Sequence, residues 1–455
     1  VNLYDIHRIY FIGIGGIGMS ALARFFQYHG AEVYGYDRTE TALTKALSAE
    51  GMHIHYTDDP DQIPNEVDLV VWTPAVPKDH QELNWFINNG IPIKKRAEVL
   101  GIISKSKKCV AIAGTHGKTT TTTLTAHLMR QSGIDATAFL GGISANLGSN
   151  FVQGSSDWVV VEADEYDRSF LQLYPDVAVL NSIDPDHLDI YGTPEAVVEA
   201  YKQFVRQIKP GGTLIYKYGL PLEDVAAELK TSGRHVFTFG IDHGDYEASN
   251  LRIEAGNMVF GLKTSIVDWS ALRMAFPGRH NVENATAALA ASLSAGAFSP
   301  DLPAALADFK GVKRRFEYIV RTEKTVYIDD YAHHPAELEA VIGAVKMLFP
   351  DRKVCGIFQP HLYSRTRDFA PEFAAALDKL DEILLMAIYP AREEPIPGVQ
   401  SEMLLGLMKN PNKRLVSKAE LLPLIQSKKW DVLLTTGAGD IDTFVEPIQK
   451  ILTQA

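Results

Sequence analysis

The chain has 455 residues, 46% of them apolar and 22% charged, and a net charge of −12. That length exceeds one ordinary core and predicts about three domains, while the acidic balance argues against nucleic acid or an anionic membrane as the main partner. Cys109 and Cys355 each sit inside an apolar run, so they exclude a disulfide framework and lack metal-site spacing. With no signal-peptide pattern and no apolar run of bilayer length, the expected location is the cytoplasm.

Taken in chain order, residues 9–12 predict a strand, followed by Gly13-Ile-Gly15-Gly16-Ile17-Gly18 and a helix from Met19 to about Tyr28. A second strand, residues 32–36, ends at Asp37. A G-x-G-x-x-G between strand and helix, with an acid about 20 residues on, is the dinucleotide-binding fingerprint. Its glycines let backbone approach a pyrophosphate, and its acid accepts from a ribose or base donor. By itself this segment favours NAD, although a uridine diphosphate offers the same groups. Strand signals follow at residues 69–72 and 91–93. Thr73 opens a turn at a strand's carboxyl end, where open α/β sheets bind ligands. Arg96 reads equally as a substrate contact or a solvated helix start.

A second glycine loop, Gly114-Thr115-His116-Gly117-Lys118-Thr119, follows the apolar strand 110–113 and opens a helical pattern. Strand, turn and helix N-terminus together make an anion site, with amides pointing inward and the helix dipole favouring negative charge. Lys118 can reach outer phosphates, and the Thr119 hydroxyl is placed for Mg²⁺. The loop is a clipped G-x-x-G-K-T, with Ile112 where the standard spacing has glycine. A nucleoside triphosphate is the expected ligand. Beyond the buried strand 158–161 come Glu162, Asp164, Glu165 and Asp167, whose hard oxygens suit a divalent cation beside phosphates. His187 reads equally as a metal ligand or a helix cap. His280, Asn281 and Asn284 precede or open an Ala-rich helix over 285–295 and can meet phosphate or an adenine edge. Asn281 also reads as a simple N-cap.

In the last third, strands 326–328, 354–358, 383–387 and 432–435 alternate with helices, a third open α/β unit. Four polar strand ends fall at its carboxyl edge: Asp329 to Pro335, Gln359 to Arg367, Tyr389 to Pro395, and Gly437 to Asp440.

Together these residues resemble the Mur ligase family of peptidoglycan synthesis, over essentially the whole chain. The resemblance rests on Gly13-Ile-Gly-Gly-Ile-Gly-Met19, Glu162-Ala-Asp-Glu165, Asp330-Tyr-Ala-His-His-Pro335 and Tyr389-Pro-Ala-Arg-Glu-Glu-Pro-Ile-Pro-Gly398. It implies an α/β fold in three domains. These are a Rossmann-like UDP-sugar-binding domain over 1–106, a central P-loop ATP-binding domain over 107–311, and a C-terminal Rossmann-like domain over 312–455. The implied reaction is ATP-dependent joining of L-alanine to the lactyl carboxylate of UDP-N-acetylmuramate through an acyl phosphate. The branch that recycles murein tripeptide is the alternative within the family, and an NAD-dependent oxidoreductase the alternative outside it.

The resemblance also implies site residues. ATP would meet Gly114, Thr115, His116, Gly117, Lys118, Thr119, Thr120, His280, Asn281, Asn284, Arg315 and Asp330. The UDP-sugar would meet Gly15, Gly16, Ile17, Gly18, Asp37, Thr73 and Arg96. Tyr331, His333 and Arg365 would hold the amino acid. Catalysis would fall to Lys118, His187, Arg315, His333 and Arg365, and Mg²⁺ to Thr119, Glu162 and His187. The expected state is a monomer or weak homodimer, without nucleic acid or membrane. Leu362 stands where some relatives have arginine, and Lys202 reads as a solvated helix residue.

Overall fold

Three sheets carry the chain. The computed structural model describes residues 3–454 apart from 186, 187, 255 and 392. Its described part forms two compact units, one of Val1–Asn250, Phe260–Arg273 and Glu283–Lys310, the other of Leu251–Val259, Met274–Val282 and Gly311–Ala455.

The first unit holds two sheets. In the N-terminal one, strands His53–His55, Glu32–Tyr36, Arg8–Ile12, Leu69–Trp72 and Ile93–Lys95 lie side by side in that order. All four pairings are parallel. Strand order reverses beside Arg8–Ile12, so the glycine loop after Ile12 sits at the switch point where such sheets open a crevice. The sequence expectation of a strand over 91–93 moves two residues on, because Pro92 cannot donate to a ladder. Pro92 instead accepts from the Val70 amide at 2.8 Å. The first helix also starts earlier than expected, running over Ile17–Tyr28 with Gly16 as its N-cap.

In the central sheet, strands His235–Ile241, Thr213–Lys217, Val177–Leu180, Lys108–Ala113, Trp158–Glu162 and Thr137–Phe139 form a parallel series. Phe151–Val152 closes one side antiparallel. Lys108–Ala113 is interior, and its last five residues are buried, which explains its unbroken apolar run. One apolar core links the two sheets of this unit. Phe25 from the first helix packs on Phe139 and Phe151 of the central sheet at 5.6 and 6.3 Å between ring centroids.

In the second unit, strands Glu317–Arg321, Val326–Asp330, Val432–Thr436, Val354–Phe358, Glu382–Leu385 and Lys413–Leu415 make a six-stranded sheet in that order. Only the Glu317–Arg321 edge is antiparallel. The fold class is the three-sheet α/β arrangement expected. Both cysteines are free and buried. No helix among the described residues is long and apolar enough to cross a membrane.

Candidate active site

The P-loop is built by its own short sequence. Strand Lys108–Ala113 delivers the chain to Gly114, and helix Lys118–Gln131 begins directly after Gly117. Gly117 is left-handed at φ 77°, a conformation that a Cβ disfavours, and a Cβ there would collide with the Asn284 side-chain amide. The first amides of the helix have no intrahelical partners and face the loop, as an anion site requires. Thr115 and His116 are tied to the next strand's end: the Asp184 amide donates to the Thr115 hydroxyl at 3.0 Å, and the His116 amide donates to the Ser182 hydroxyl at 2.9 Å. Thr121 donates to Asn284 Oδ1 at 3.3 Å and accepts from Asn181 Nδ2 at 2.9 Å. Asn284 therefore reaches the loop. Asn181 was not among the expected site residues.

Lys118 is not left open. Its ammonium donates to the Gly114 carbonyl at 2.7 Å and lies 2.8 and 2.7 Å from the two carboxylate oxygens of Glu165. The side chains are 14% and 5% exposed, so this ion pair is interior. Burial works against the ammonium, but the carboxylates of Glu165, Asp164 and Glu162 outweigh it and hold Lys118 above the ordinary lysine value. Burial likewise pushes Glu165 up, to about 7, against the pull of Lys118. The acidic run is thus a set of counter-ions rather than a solvated loop. Asp164 Oδ2 accepts from Arg96 at 3.2 Å and Asp167 from Lys95 at 2.9 Å. Asp167 and the following Arg168 are held at φ 52° and 55°, the kind of backbone strain that marks functional turns.

Thr119 and Glu162 offer hard oxygens, the donor type that Mg²⁺ takes. Glu162 is seated against Gly141 so closely that any Cβ there would overlap its carboxylate. These two residues fit a divalent cation. His187, the third expected ligand, lies outside the described residues. Lys202 lies on helix Pro194–Arg206, half-buried, and its ammonium donates to the exposed Asp224 at 2.6 Å.

At the N-terminal loop, the Gly15 amide donates to Asp37 Oδ2 at 2.7 Å, and the Thr39 amide to Oδ1 at 3.2 Å. The acid of the fingerprint therefore also closes its own loop. Gly16 and Ile17 open the helix. Thr73 packs on the loop, its methyl 3.1 Å from where a Gly13 Cβ would lie. Arg96 begins helix Arg96–Ser106, and its guanidinium lies directly over Gly18, where a Cβ would strike it. Arg96 thus both starts a helix and overlies the glycine loop.

The second unit gathers its own polar cluster. The Asp330 carboxylate accepts from the Phe316 and Ala332 amides, each at 2.7 Å, and burial raises it to about 6. Arg315 lies 3.9 Å from Glu337 and stacks its guanidinium 5.1 Å from the Tyr331 ring centroid. His333 Nδ1 is 3.0 Å from the Tyr331 carbonyl and 3.4 Å from Glu337. Burial pushes His333 down to about 4, opposed by Glu337 and helped by the charges of Arg365 and Arg315. It is a neutral imidazole at physiological pH. His361, stacked on Tyr389 at 5.8 Å, stands at the same distance from His333. Glu337 was missed, although its place three residues past His334 is a capping-box position. His280 falls to about 4 through burial alone. Asn281 is not an N-cap: it sits inside helix Arg279–Ser294 and donates to the Pro277 carbonyl at 2.8 Å.

Comparison with known proteins decides the family. Three descriptions match in succession: "Mur ligase family, catalytic domain" over residues 8–108, "Mur ligase middle domain" over 112–292, and "Mur ligase, glutamate ligase domain" over 314–439. The chain belongs to the Mur ligase family. A UDP-N-acetylmuramate–L-alanine ligase of Cytophaga hutchinsonii is 49% identical over 100% of this chain and 98% of that protein. The solved UDP-N-acetylmuramate–alanine ligase of Thermotoga maritima is 30% identical, with a TM-score of 0.82 over 98% of each chain. A murein peptide ligase of Psychrobacter arcticus, 24% identical with a TM-score of 0.73 over 99% of each chain, shares the fold. For this Mur ligase, the alternative of an NAD-dependent oxidoreductase leaves the P-loop, the acidic strand end and the third sheet unexplained.

Proposed function

We propose that this Mur ligase joins L-alanine to the lactyl carboxylate of UDP-N-acetylmuramate, using ATP and forming an acyl phosphate on the way. The observation that carries this reading is the 49% identity, over full length, to a relative so named. The muramoyl carboxylate attacks the γ-phosphorus and ADP leaves. The alanine amine then attacks the acyl carbon, and phosphate departs from the tetrahedral intermediate.

The chain's residues supply what these steps need. Lys118, held charged by burial-defying carboxylates, neutralises charge that gathers on the transferred phosphoryl group. The helix N-terminus behind Gly117 adds its amides to the same task. Thr119 and Glu162, with His187, would hold Mg²⁺, which supplies further charge neutralisation on the phosphates when bound. Gly15 to Gly18, Asp37, Thr73 and Arg96 would take the uridine diphosphate. Tyr331, His333 and Arg365 would take the amino acid, with Arg315 and Asp330 serving the nucleotide. His333 is neutral at working pH and so can accept a proton. The division of labour follows segments 1–106, 107–311 and 312–455.

The test is phosphate release from ATP with Mg²⁺ and UDP-N-acetylmuramate, given L-alanine or, separately, L-Ala-γ-D-Glu-meso-diaminopimelate. Release that requires L-alanine is expected. Release only with the tripeptide would move the enzyme to cell-wall recycling, and release with neither would remove the sugar-nucleotide assignment.

A further inference from the structure

Two consecutive carboxylates, Asp164 and Glu165, hold two cations that belong to different glycine loops. Arg96, lying over Gly18, donates to Asp164 at 3.2 Å. Lys118, in the P-loop, sits between both oxygens of Glu165 and is drawn back onto the Gly114 carbonyl at 2.7 Å. A buried ammonium with no anion beside it is costly, so a P-loop lysine this deep needs a counter-ion whenever phosphate is absent. The same logic holds more weakly for Arg96, whose side chain is 22% exposed against 37% for Asp164.

We propose that Asp164 and Glu165 are placeholders for substrate phosphates, holding Arg96 and Lys118 in position until the UDP-sugar and the nucleotide exchange for them. This rests on the ligase reading above, which assigns those two ligands to the two loops. The Tyr166 amide donates to Asp164 Oδ1 at 3.1 Å and so helps to hold that carboxylate in place. Because both are adjacent in one segment, the two exchanges share one short piece of backbone. Each placeholder also competes with its ligand: the apparent affinity falls by the fraction of molecules in which the cation is free.

Competition distinguishes this role from a purely structural one. Binding would be measured by calorimetry on the full chain, with the non-hydrolysable ATP analogue AMPPNP in EDTA and with UDP-N-acetylmuramate. Glu165→Gln keeps the shape and a hydrogen-bond acceptor for Lys118 but removes the competing charge. It is expected to bind AMPPNP about tenfold tighter than wild type. Asp164→Asn, at a more exposed position that does not threaten folding, is expected to bind UDP-N-acetylmuramate about threefold tighter. Unchanged or weaker binding by these variants, with wild type binding both ligands, overturns the placeholder role and leaves the ligase reading standing. Failure of wild type to bind either ligand removes the ligase reading, and the placeholder role with it.

Discussion

The two glycine loops of the first unit look alike in sequence and are built differently. Both follow an interior parallel strand and open a helix, Arg8–Ile12 before Ile17–Tyr28 and Lys108–Ala113 before Lys118–Gln131. In the P-loop the cation is part of the loop itself, so strand, turn, lysine and helix are one contiguous device. In the N-terminal loop the cation arrives from another element, Arg96, and the acid Asp37 is engaged by the loop's own Gly15 amide. A loop of the second kind has a ligand preference that its glycines do not encode. This is why the N-terminal motif, read alone, favours NAD while offering a uridine diphosphate the same groups, whereas the P-loop motif points to one ligand class.

The largest expected effect breaks the self-contained loop. Lys118→Ala should lower phosphate release by about 10³-fold or more, the loss seen when a main transition-state charge is removed. It should also lower the melting midpoint, because the Glu165 carboxylate, 5% exposed, loses its cation. Adding Glu165→Gln should restore the midpoint but not the turnover. Near-wild-type release by the single variant would sink the P-loop assignment.

What the sequence disclosed follows the same division. The strand-to-helix units, the order of the sheets' glycine loops and the loop residues proposed to meet phosphate are local, so periodicity and spacing reveal them. The ties that complete the sites are not local. Arg96 meets Asp164 across 68 positions, and Asn284 meets Thr121 across 163. Nothing in either short segment announces the partner. Glu337 was hidden for another reason: its capping-box spacing reads as helix chemistry, and only the fold shows that it also faces Arg315 and His333. Boundaries moved where backbone chemistry outranks apolar pattern, as at Pro92 and at Gly16, whose cap admits Ile17 and Gly18 into the first turn.

A second contrast sets Glu82, under the N-terminal sheet, against Glu165. Both are buried and both are pushed up to about 7, but Glu165 faces an ammonium whereas Glu82 faces the Tyr10 hydroxyl at 2.7 Å. That hydroxyl also lies 2.6 Å from His55 Nε2, and His55 Nδ1 meets the Thr57 carbonyl at 2.8 Å. Burial raises Glu82, so that its carboxyl keeps a proton that the unfolded chain would give up, and it lowers His55. Because the folded state binds that proton more tightly than the unfolded chain, its stabilisation is complete below about pH 4.5 and is lost as pH rises through about 7. Glu82→Gln should therefore gain on wild type between pH 5 and 8, by about 3 kcal/mol at most. Thermal unfolding of both proteins across that range checks it. A difference that is flat with pH would mean that Glu82 is ionised in the folded protein.

The smallest effect separates the two loops most directly. A Cβ on Gly18 would strike the end of the Arg96 side chain, which is flexible and can give way, so Gly18→Ala should fold normally. Arg96 would then be pushed from its place over the loop, and the dissociation constant for UDP-N-acetylmuramate should rise about tenfold, the cost of one charge-assisted contact. AMPPNP affinity should stay the same, because Lys118 carries its cation within its own loop. Calorimetric titration of the variant with each ligand reads both numbers. Were AMPPNP to weaken as well, displacement of Arg96 must be travelling through Asp164 and Glu165 to Lys118, and the loops would be two ends of one ionic chain rather than independent sites.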